Sequence, residues 1–559
     1  MKLAGWLLSI ASAVIVLYAS LLAGWWYTDD PIIIAFVSGH SPFSFLCRPD
    51  VWQSFSPFNL VPWALLSLKA DSVFFGFGTA GYYLHQILSL CIAALALFAV
   101  LDLYCERRLF SFLGVCLFLL NPSTLSVSSW LSTRHYIEGM GFALFGVFFY
   151  VRSVRGNKPA LALISAALYM FAALSKEVYV PLPFLLLLLP EQGLKRRAIF
   201  AIPAFLLSGG YTLYRFLMLG NSAVGGYSSL WPWTFKSSVL ATPTMFRSFG
   251  GSWWIFVIVC VVILWGIARR KGWKDRAGAL FRGFSSFLLF YLPVVPVSPI
   301  WLSSLRYFFT VSMFIAFCYV TSADALYEKG GKVQKIVTAL SVLAVLIGLS
   351  RSFMTGKSSW DTEKASAHAE GSFFLDNSER LDAVFRITQP HWFFDGLEKM
   401  KERETRREGH RRIRLVVGEF YALEQQGDRF PGEDLKVYAY DPLRKGVADI
   451  SQQARKTHED FIRTLQSRPL TVFIKTEDNV LTLGFGPYDG QYIVLEAPPS
   501  QPGSYYLAEP ISRKFGIKLT HREKIRIFRF AYMSPEGWAT LSPDFLVDRT
   551  INKTVTWSR

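Results

Sequence analysis

Long apolar segments alternate with short polar loops over the first 355 residues of the chain. A helix needs roughly 20 apolar residues to cross the hydrocarbon core of a bilayer. By that measure we predict 11 membrane spans, at 4–26, 75–101, 109–121, 136–151, 159–174, 179–190, 198–217, 253–268, 283–300, 307–323 and 335–354. Segments 109–121 and 179–190 are short, so each crosses only if it is tilted or continued by an interfacial helix. The pattern predicts a polytopic α-helical membrane protein.

The first apolar segment runs into Gly24-Trp25-Trp26 without a convincing small-residue cleavage site. We therefore expect a retained helix rather than a signal peptide. The loop that follows, 27–74, contains two apolar stretches, 32–37 and 60–66, that are too short to span a membrane. We expect these stretches to form amphipathic helices that lie in the membrane interface.

From about Thr355 the charged residues become frequent and the apolar runs shorten. Residues 355–412 read as helical and basic, with a charged run over 399–414. Residues 413–559 read as strands, among them 471–475, 480–483 and 492–495 with turns at Asp478-Asn479 and Asp489-Gly490, and an alternating stretch at 524–530. We predict a membrane domain at 1–355 and a soluble, strand-rich α+β domain at 356–559.

The composition supports a membrane protein: 52% of the 559 residues are hydrophobic and only 18% are charged, against about 25% in soluble proteins. The net charge of +17 comes largely from short loops between apolar segments. Such a distribution follows the positive-inside rule and favours contact with membrane lipids over nucleic acid. The six cysteines show no metal-site spacing.

Charge also orients the chain, because alternate loops carry the basic residues. These loops, expected to be cytoplasmic, contain Arg107, Arg108, Arg152, Arg155, Lys158, Lys195, Arg196, Arg197, Arg269, Arg270, Lys271, Lys274, Arg276, Lys329, Lys332 and Lys335. The opposite side then holds loop 27–74, segment 122–135, the 175–177 turn, loop 218–250, residues 302–306 and the C-terminal domain. We expect a multi-pass protein of the bacterial inner membrane whose C-terminal domain is periplasmic.

Two adjacent carboxylates, Asp29 and Asp30, follow the first span within an aromatic stretch. A carboxylate there could take the proton from an attacking hydroxyl group, or the pair could hold a divalent cation such as Mg²⁺ or Mn²⁺. A solvated turn is the alternative, because Asp-Pro is common in turns.

Several further ionisable residues stand at the outer ends of predicted spans. Arg134, His135, Lys176 and Arg306 are candidates to bind a phosphate, and Glu138, Glu177 and Tyr307 are candidate supporting residues. Interfacial anchoring, an Arg134–Glu138 pair and a Lys176–Glu177 hairpin are the structural alternatives. The lone histidines His40 and His85 are expected to be structural.

The order and spacing of these motifs resemble the GT-C superfamily of integral-membrane glycosyltransferases. The nearest resemblance is to the protein O-mannosyltransferase branch whose members often carry TPR repeats. It rests on the acidic pair after the first span, on Val-Ser-Ser-Trp-Leu-Ser-Thr-Arg at 127–134 and on Ala-Ala-Leu-Ser-Lys-Glu at 172–177. The C-terminal region departs from the branch, because it shows no TPR repeat.

The resemblance implies inverting transfer of a hexose or pentose from a polyprenyl-phosphate-linked donor on the non-cytoplasmic face. It implies that Asp29 or Asp30 is the base and that Arg134, Lys176 and Arg306 bind the donor phosphate. The acceptor is expected to be a protein, a glycan or a lipid. Two other classes remain open: a flippase or transporter of lipid-linked sugars, which predicts repeated halves that are not seen, and a polysaccharide polymerase or ligase. No P-loop, Rossmann fingerprint or Ser-His-Asp arrangement is recognisable in the sequence.

Overall fold

The computed structural model describes residues 2–56, 59–220, 253–269, 273–292, 305–406, 411–417, 436–477, 480–489, 491–497, 507–511, 514–518, 525–548 and 553–557. The chain divides into two compact units. One, here the membrane unit, comprises Met1–Gly24 and Phe36–Thr362; the other, here the strand-rich unit, comprises Trp25–Ala35 and Glu363–Arg559. The predicted class, an α-helical membrane region with a strand-rich C-terminal region, is confirmed.

Six helices of the described residues are long and apolar enough to cross a membrane, or seven if a pair bent by 58° counts as one span. The six are Leu3–Ala23, Thr79–Leu101, Leu131–Gly156, Leu194–Leu219, Leu305–Lys329 and Lys332–Asn377, and the bent pair is Arg108–Leu119 with Pro122–Ser129. Three shorter apolar helices coincide with the predicted spans 159–174, 179–190 and 253–268. Among the described residues, seven of the 11 predicted spans thus correspond to a helix or bent pair that meets this criterion, and three correspond to the shorter helices.

The helices, in chain order, are α1 (Leu3–Tyr18), α2 (Asp30–Ser38), α3 (Ser44–Cys47), α4 (Pro49–Phe55), α5 (Pro62–Phe75), α6 (Thr79–Leu101), α7 (Arg108–Leu119), α8 (Pro122–Ser129), α9 (Arg134–Gly156), α10 (Pro159–Ser175), α11 (Leu182–Leu188), α12 (Leu194–Leu219), α13 (Trp253–Ala268), α14 (Trp273–Tyr291), α15 (Phe309–Lys329), α16 (Lys332–Asn377), α17 (His391–Thr405) and α18 (Ser451–Thr464). The two short helices expected in loop 27–74 are present as α2 and α5. Residues 221–252 and 293–304, which include most of loop 218–250 and the end of the predicted span 283–300, lie outside the described residues.

The long helices of the membrane unit carry large apolar side chains on their outer surfaces. On α6, Leu84, Leu88 and Ile92 are exposed at intervals of four residues, whereas Tyr83 and Leu90 are buried. Residues four apart share one face of a helix, so these side chains form an apolar stripe. A stripe of this kind is stable in contact with lipid tails and accounts for the exposed apolar residues.

The basic loops of the membrane unit lie together at one end of the helices. Arg107 pairs with Glu328 at 2.6 Å, and Arg155 pairs with Glu191 at 2.9 Å. The Arg107 guanidinium also lies over the Tyr327 ring, 4.8 Å from its centroid. These contacts join loops that the charge pattern predicts to share a side. We call this end the basic face.

The bend between α7 and α8 and the end of α8 that follows it leave carbonyl groups without helical partners at the opposite end of the unit. Free carbonyl groups in a membrane need partners. The Gln86 amide donates to the carbonyls of Val127 at 2.9 Å and Trp130 at 3.2 Å, and the Thr133 hydroxyl also donates to Val127 at 2.8 Å. Side chains of α6 and of the segment before α9 therefore supply hydrogen bonds to the carbonyl groups at the end of α8.

The strand-rich unit contains three sheets. Its strands are β1 (Ala383–Ile387), β2 (Arg414–Val417), β3 (Lys436–Asp441), β4 (Gly446–Asp449), β5 (Leu470–Glu477), β6 (Val480–Gly486), β7 (Gln491–Ala497), β8 (Leu507–Ile511), β9 (Lys514–Lys518), β10 (Ile525–Met533), β11 (Ala539–Leu541), β12 (Phe545–Asp548) and β13 (Lys553–Trp557). The first sheet has the order β2-β1-β3-β4, with β1 parallel to both neighbours. The other two are antiparallel, ordered β11-β10-β7-β8 with β12 beside β10, and β13-β5-β6-β9.

The predicted strands at 471–475, 480–483 and 492–495 lie in β5, β6 and β7, and 524–530 overlaps β10. Residues Asp478, Asn479, Gly490 and Lys524 of the predicted turns and strand lie outside the described residues. Two elements were not expected: the strand β1 within the region 355–412 and the helix α18 within 413–559. Both belong to the first sheet and its helices, where Val384, Val437 and Ala454 share one apolar core.

Candidate active site

The acidic pair stands in the strand-rich unit, at the start of α2. Asp29 is partly exposed, and one of its carboxylate oxygens accepts a hydrogen bond from the Trp392 indole N–H of α17 at 2.8 Å. Asp30 is 1% exposed, and its carboxylate accepts the backbone N–H of Tyr27 at 3.0 Å. The two carboxylates therefore differ: Asp30 holds the turn before α2, and Asp29 keeps an accessible edge.

Close packing of α17 fixes the position of this turn. Gly396 of α17 lies against Pro31 and Ile32, and a Cβ atom at position 396 would overlap the backbone of both residues. Glycine is thus required where α17 meets the first turn of α2. The same helix supplies Trp392 to Asp29, so the approach of α17 sets the orientation of the candidate base.

The protein donors around the acidic pair are the two carboxylates themselves. Among the described residues, no group of three or more His, Cys, Asp or Glu side chains is arranged to hold a metal ion. Both carboxylates also accept hydrogen bonds from the protein, from Trp392 and from Tyr27. Mg²⁺ is usually bound through one or two carboxylates together with waters and substrate phosphates, so a divalent cation at Asp29 and Asp30 stays a prediction, and we assign no step to a metal.

In the membrane unit, the charged turn after α10 forms part of a cluster at the end opposite the basic face. Lys176 Nζ lies 3.3 Å from one Glu177 carboxylate oxygen, and Arg215 of α12 lies 2.7 Å from the other. The latter oxygen also accepts the backbone N–H of Leu60 at 2.8 Å. The side chains of Lys176 and Arg215 are only 13% and 17% exposed. One carboxylate therefore pairs with two basic side chains, and little water reaches either of them.

Arg306 extends this cluster along the same end of the unit. Its guanidinium lies over the ring of Trp130, 4.3 Å from the centroid, and 3.3 Å from the Tyr307 hydroxyl. The His135 ring lies within electrostatic range of Lys176, Glu177 and Arg306, and it packs 4.7 Å from the Tyr136 ring. We call His135, Lys176, Glu177, Arg215 and Arg306 the cationic cluster.

The cationic cluster contains more basic than acidic side chains. Lys176, Arg215 and Arg306 are basic, and Glu177 is the acidic member. A cationic surplus at a helix end in a water-poor setting favours a bound anion, and guanidinium groups match phosphate oxygens in geometry. Of the predicted phosphate ligands, the structure brings together Lys176, Arg306 and His135, with Glu177 and Tyr307 as their supports.

Arg134 belongs to a different, buried network. Its guanidinium pairs with Asp71 and donates to Gln86 at 3.0 Å and to the Tyr82 carbonyl at 2.7 Å. The Arg134 side chain is 1% exposed and Asp71 is 3% exposed. A guanidinium engaged in this way presents no free edge to a phosphate. Arg134 therefore differs from the other predicted ligands and acts within the protein.

Two other predicted residues join the Arg134 network. Glu138 accepts a hydrogen bond from the Ser67 hydroxyl at 2.7 Å and lies 3.5 Å from His85, whose ring lies 2.7 Å from Asp71. The histidine expected to be structural is thus a member of an ion-pair network. These contacts tie α5, α6 and α9 together beside the bend of α7 and α8.

Sequence reasoning passed over two residues that the structure makes important, Asp71 and Gln86, and treated a third, Arg215, as a weaker candidate. Asp71 follows the apolar stretch 60–66 in a loop that gave no periodic signal, and Gln86 stands inside a predicted span. Arg215 carries a signal that could have been weighed more heavily, because it is a basic residue at the outer end of a span, as Lys176 and Arg306 are.

No protein-family model matches the sequence, and no curated protein matches it. Solved structures similar to this chain include ArnT from Cupriavidus metallidurans bound to undecaprenyl phosphate, with 12% identity, a TM-score of 0.46, and coverage of 79% of this chain and 94% of that one. The archaeal oligosaccharyltransferase AglB from Archaeoglobus fulgidus, in complex with an inhibitory peptide and a dolichol-phosphate, has 10% identity, a TM-score of 0.46, and coverage of 90% and 76%. A second structure of the A. fulgidus enzyme, with Zn and sulfate, has 10% identity, a TM-score of 0.42, and coverage of 90% and 75%. Because all three TM-scores are below 0.5, these likenesses carry no argument about the chemistry of this chain, which rests on its own residues.

Proposed function

We propose that this chain is a membrane glycosyltransferase that moves a sugar, with inversion, from a polyprenyl-phosphate-linked donor to an acceptor hydroxyl group on the non-cytoplasmic face. The observation that carries the proposal is the cationic cluster. It combines three basic side chains and one carboxylate with little exposure to water, at the end of the helices opposite the basic face. A lipid-borne phosphate arrives at that depth and carries the charge that the cluster lacks.

Lys176 and Arg306 are the residues to which we assign the donor phosphate, with His135 beside them. In the reaction, the bond between the anomeric carbon and the phosphate oxygen breaks, and negative charge develops on the departing polyprenyl phosphate. Fixed cations in a water-poor site stabilise such charge strongly. Glu177 and Arg215 hold Lys176 in place, because the Glu177 carboxylate bridges the two basic side chains.

Asp29 is the proposed general base. It takes the proton from the acceptor hydroxyl as the oxygen attacks the anomeric carbon from the face opposite the leaving phosphate, which inverts the configuration. Its partly exposed carboxylate, oriented by the hydrogen bond from Trp392, suits a group that exchanges a proton. Asp30 is assigned to the turn, since it is buried and accepts the backbone N–H of Tyr27.

The proposal leaves Arg134 and Glu138 out of the donor site and gives them a structural role. The finer predictions stay predictions: the O-mannosyltransferase branch, a hexose or a pentose, the acceptor class, and a bacterial inner membrane with a periplasmic C-terminal region.

The test separates phosphate binding from transfer. Purified full-length protein is titrated with undecaprenyl phosphate, and turnover of an undecaprenyl-phosphate-linked sugar is followed by mass spectrometry with a cell-envelope extract as the acceptor. We expect Lys176→Gln and Arg306→Gln to weaken binding of undecaprenyl phosphate roughly tenfold each, from the loss of one charge-assisted contact. We expect Asp29→Asn to retain that binding and to abolish transfer.

Lys158→Gln is the matched control, because Lys158 is an exposed lysine at the start of a span on the basic face. This variant should bind undecaprenyl phosphate and transfer the sugar as the wild type does. Full transfer by Asp29→Asn, or wild-type binding by both cluster variants, would overturn the proposal.

A further inference from the structure

A cavity with charged lining lies at the basic face of the membrane unit, at the end of the helices opposite the cationic cluster. It has a volume of about 1020 Å³ and is enclosed by the ends of α13 and α15, the starts of α14 and α16, and the loop after α6. Among the described residues, its charged lining consists of Arg269, Arg282, Lys329, Glu106 and Asp275. The volume suits a ligand of the size of a lipid headgroup or larger.

The lining of this basic-face cavity favours one negative charge. Three basic residues against two acidic ones leave a single positive charge, and Gln334, Thr321 and Ser322 add uncharged hydrogen-bonding groups. Of the neighbouring acidic residues, Glu191 and Glu328 are paired with arginines outside the cavity. Asp324 is 2% exposed and accepts the backbone N–H of Glu106 at 2.6 Å, so it lies behind the lining. One phosphodiester carries the matching charge.

An apolar groove continues from the cavity between the helices. Tyr104, Leu189 and Phe317 line both the cavity and the groove. Beyond them, the groove is lined by apolar side chains of α6, α9, α11 and α15, including Met140 and Leu144. A charged cavity that opens into an apolar groove is complementary to a molecule with an anionic head and a hydrocarbon tail.

We propose that the basic-face cavity binds an anionic phospholipid, with the phosphate among Arg269, Arg282 and Lys329 and part of one acyl chain in the groove. Basic pockets between helices on the cytoplasmic side of membrane proteins bind such lipids, and the lipids of that leaflet are often anionic. The site is independent of the proposed sugar transfer, because none of its residues belongs to the cationic cluster or to the acidic pair.

Thermal unfolding of the full-length protein in detergent tests the site. We expect dioleoyl phosphatidylglycerol to raise Tm, and we expect dioleoyl phosphatidylcholine and glycerol 3-phosphate at equal concentrations to leave it unchanged. The double variant Arg282→Gln/Lys329→Gln should need roughly tenfold or more phosphatidylglycerol for the half-maximal shift, since each basic residue near a membrane surface contributes about 1 kcal/mol.

The matched control is Arg152→Gln/Lys158→Gln, which removes two charges of the same face outside the cavity. It should respond to phosphatidylglycerol within twofold of the wild type. Ala143→Leu tests the tail, because Ala143 lines the groove and a larger side chain there fills space that an acyl chain would take. We expect this variant to respond more weakly to the lipid.

Three results would overturn the proposal. Equal stabilisation by phosphatidylcholine would indicate unspecific lipid contact, and equal stabilisation by glycerol 3-phosphate would indicate a site for free anions. A wild-type response of both the double variant and Ala143→Leu would place the lipid elsewhere.

Discussion

Replacement of Arg134 by methionine separates a structural arginine from a phosphate ligand. Methionine keeps the volume of the aliphatic stem and removes the charge and every hydrogen-bond donor. In the wild type, the guanidinium pairs with Asp71 and donates to Gln86 and to the Tyr82 carbonyl. The variant removes the guanidinium from the Asp71 carboxylate, which is 3% exposed, and leaves it the His85 ring at 2.7 Å.

The size of the effect follows from burial. Removal of one partner from a buried ion pair costs about 3–5 kcal/mol, because the remaining charge is desolvated and unpaired. Gln86 also loses its arginine contact while it still caps the Val127 and Trp130 carbonyls of the broken span. We therefore expect Arg134→Met to lower Tm by several degrees and to loosen the bend between α7 and α8.

A double-mutant cycle with Asp71 gives the assay its control. Arg134→Met/Asp71→Leu removes both charges, and replacement of a buried pair by apolar residues is often close to neutral. Tm should therefore recover most of the loss seen in the single variant. Arg306→Met serves as the comparison in the cationic cluster. It should cost about 1 kcal/mol, the scale of its contact with the Trp130 ring, and should weaken binding of undecaprenyl phosphate.

One result would refute this reasoning. If Arg134→Met keeps the wild-type Tm and loses undecaprenyl phosphate binding, then Arg134 contacts the phosphate and the buried network does not define its role.

Further outcomes follow from other contacts. Glu177→Gln removes the acidic member of the cationic cluster. We expect Tm to fall by an amount that corresponds to about 2 kcal/mol, and we expect undecaprenyl phosphate to bind more tightly. Weaker binding would contradict the assigned charges. Gly396→Ala places a Cβ atom against Pro31 and Ile32, so we expect a loss of about 1–3 kcal/mol in stability and slower sugar transfer, with Gly283→Ala in an open position as the control. Asp449 accepts the backbone N–H of Ser451 at 2.9 Å, and the hydrogen bond with the Ser451 side chain lowers the pKa of Asp449. The carboxylate therefore stabilises α18 above the unfolded pKa of about 3.9, and this contribution is lost as the pH falls through the lower folded pKa. Hydrogen exchange of α18 should show that Asp449→Ala lowers protection at pH 7 and that this effect shrinks as the pH falls below about 3.9. An effect that stays equal as the pH falls would contradict the assignment.

The apolar pattern of the sequence determined the class of the protein and most of its helices. Apolar runs predict helices over 75–101 and 307–323, and the structure has α6 and α15 there. The charge pattern also predicted which loops share an end, as the Arg107–Glu328 and Arg155–Glu191 pairs show. Both signals succeed because lipid solvation and membrane potential act on each segment almost independently of its neighbours.

Sequence also named most members of the candidate site, because a charged residue at the outer end of a span stands out against its apolar surroundings. Lys176 and Arg306 were found in this way, whereas the roles of the individual residues were not. Arg134 and Arg306 give the same sequence signal, and Asp29 and Asp30 are adjacent carboxylates in one turn.

Only the tertiary structure distinguished Arg134 from Arg306 and Asp29 from Asp30. Arg134 meets Asp71, which is 63 residues away in sequence, and Asp29 meets Trp392, which is 363 residues away. The physical reason is that the role of an ionisable group depends on which partner compensates its charge and how much water reaches it. Both quantities are set by residues that packing brings together, and a linear pattern of polar and apolar positions does not contain them.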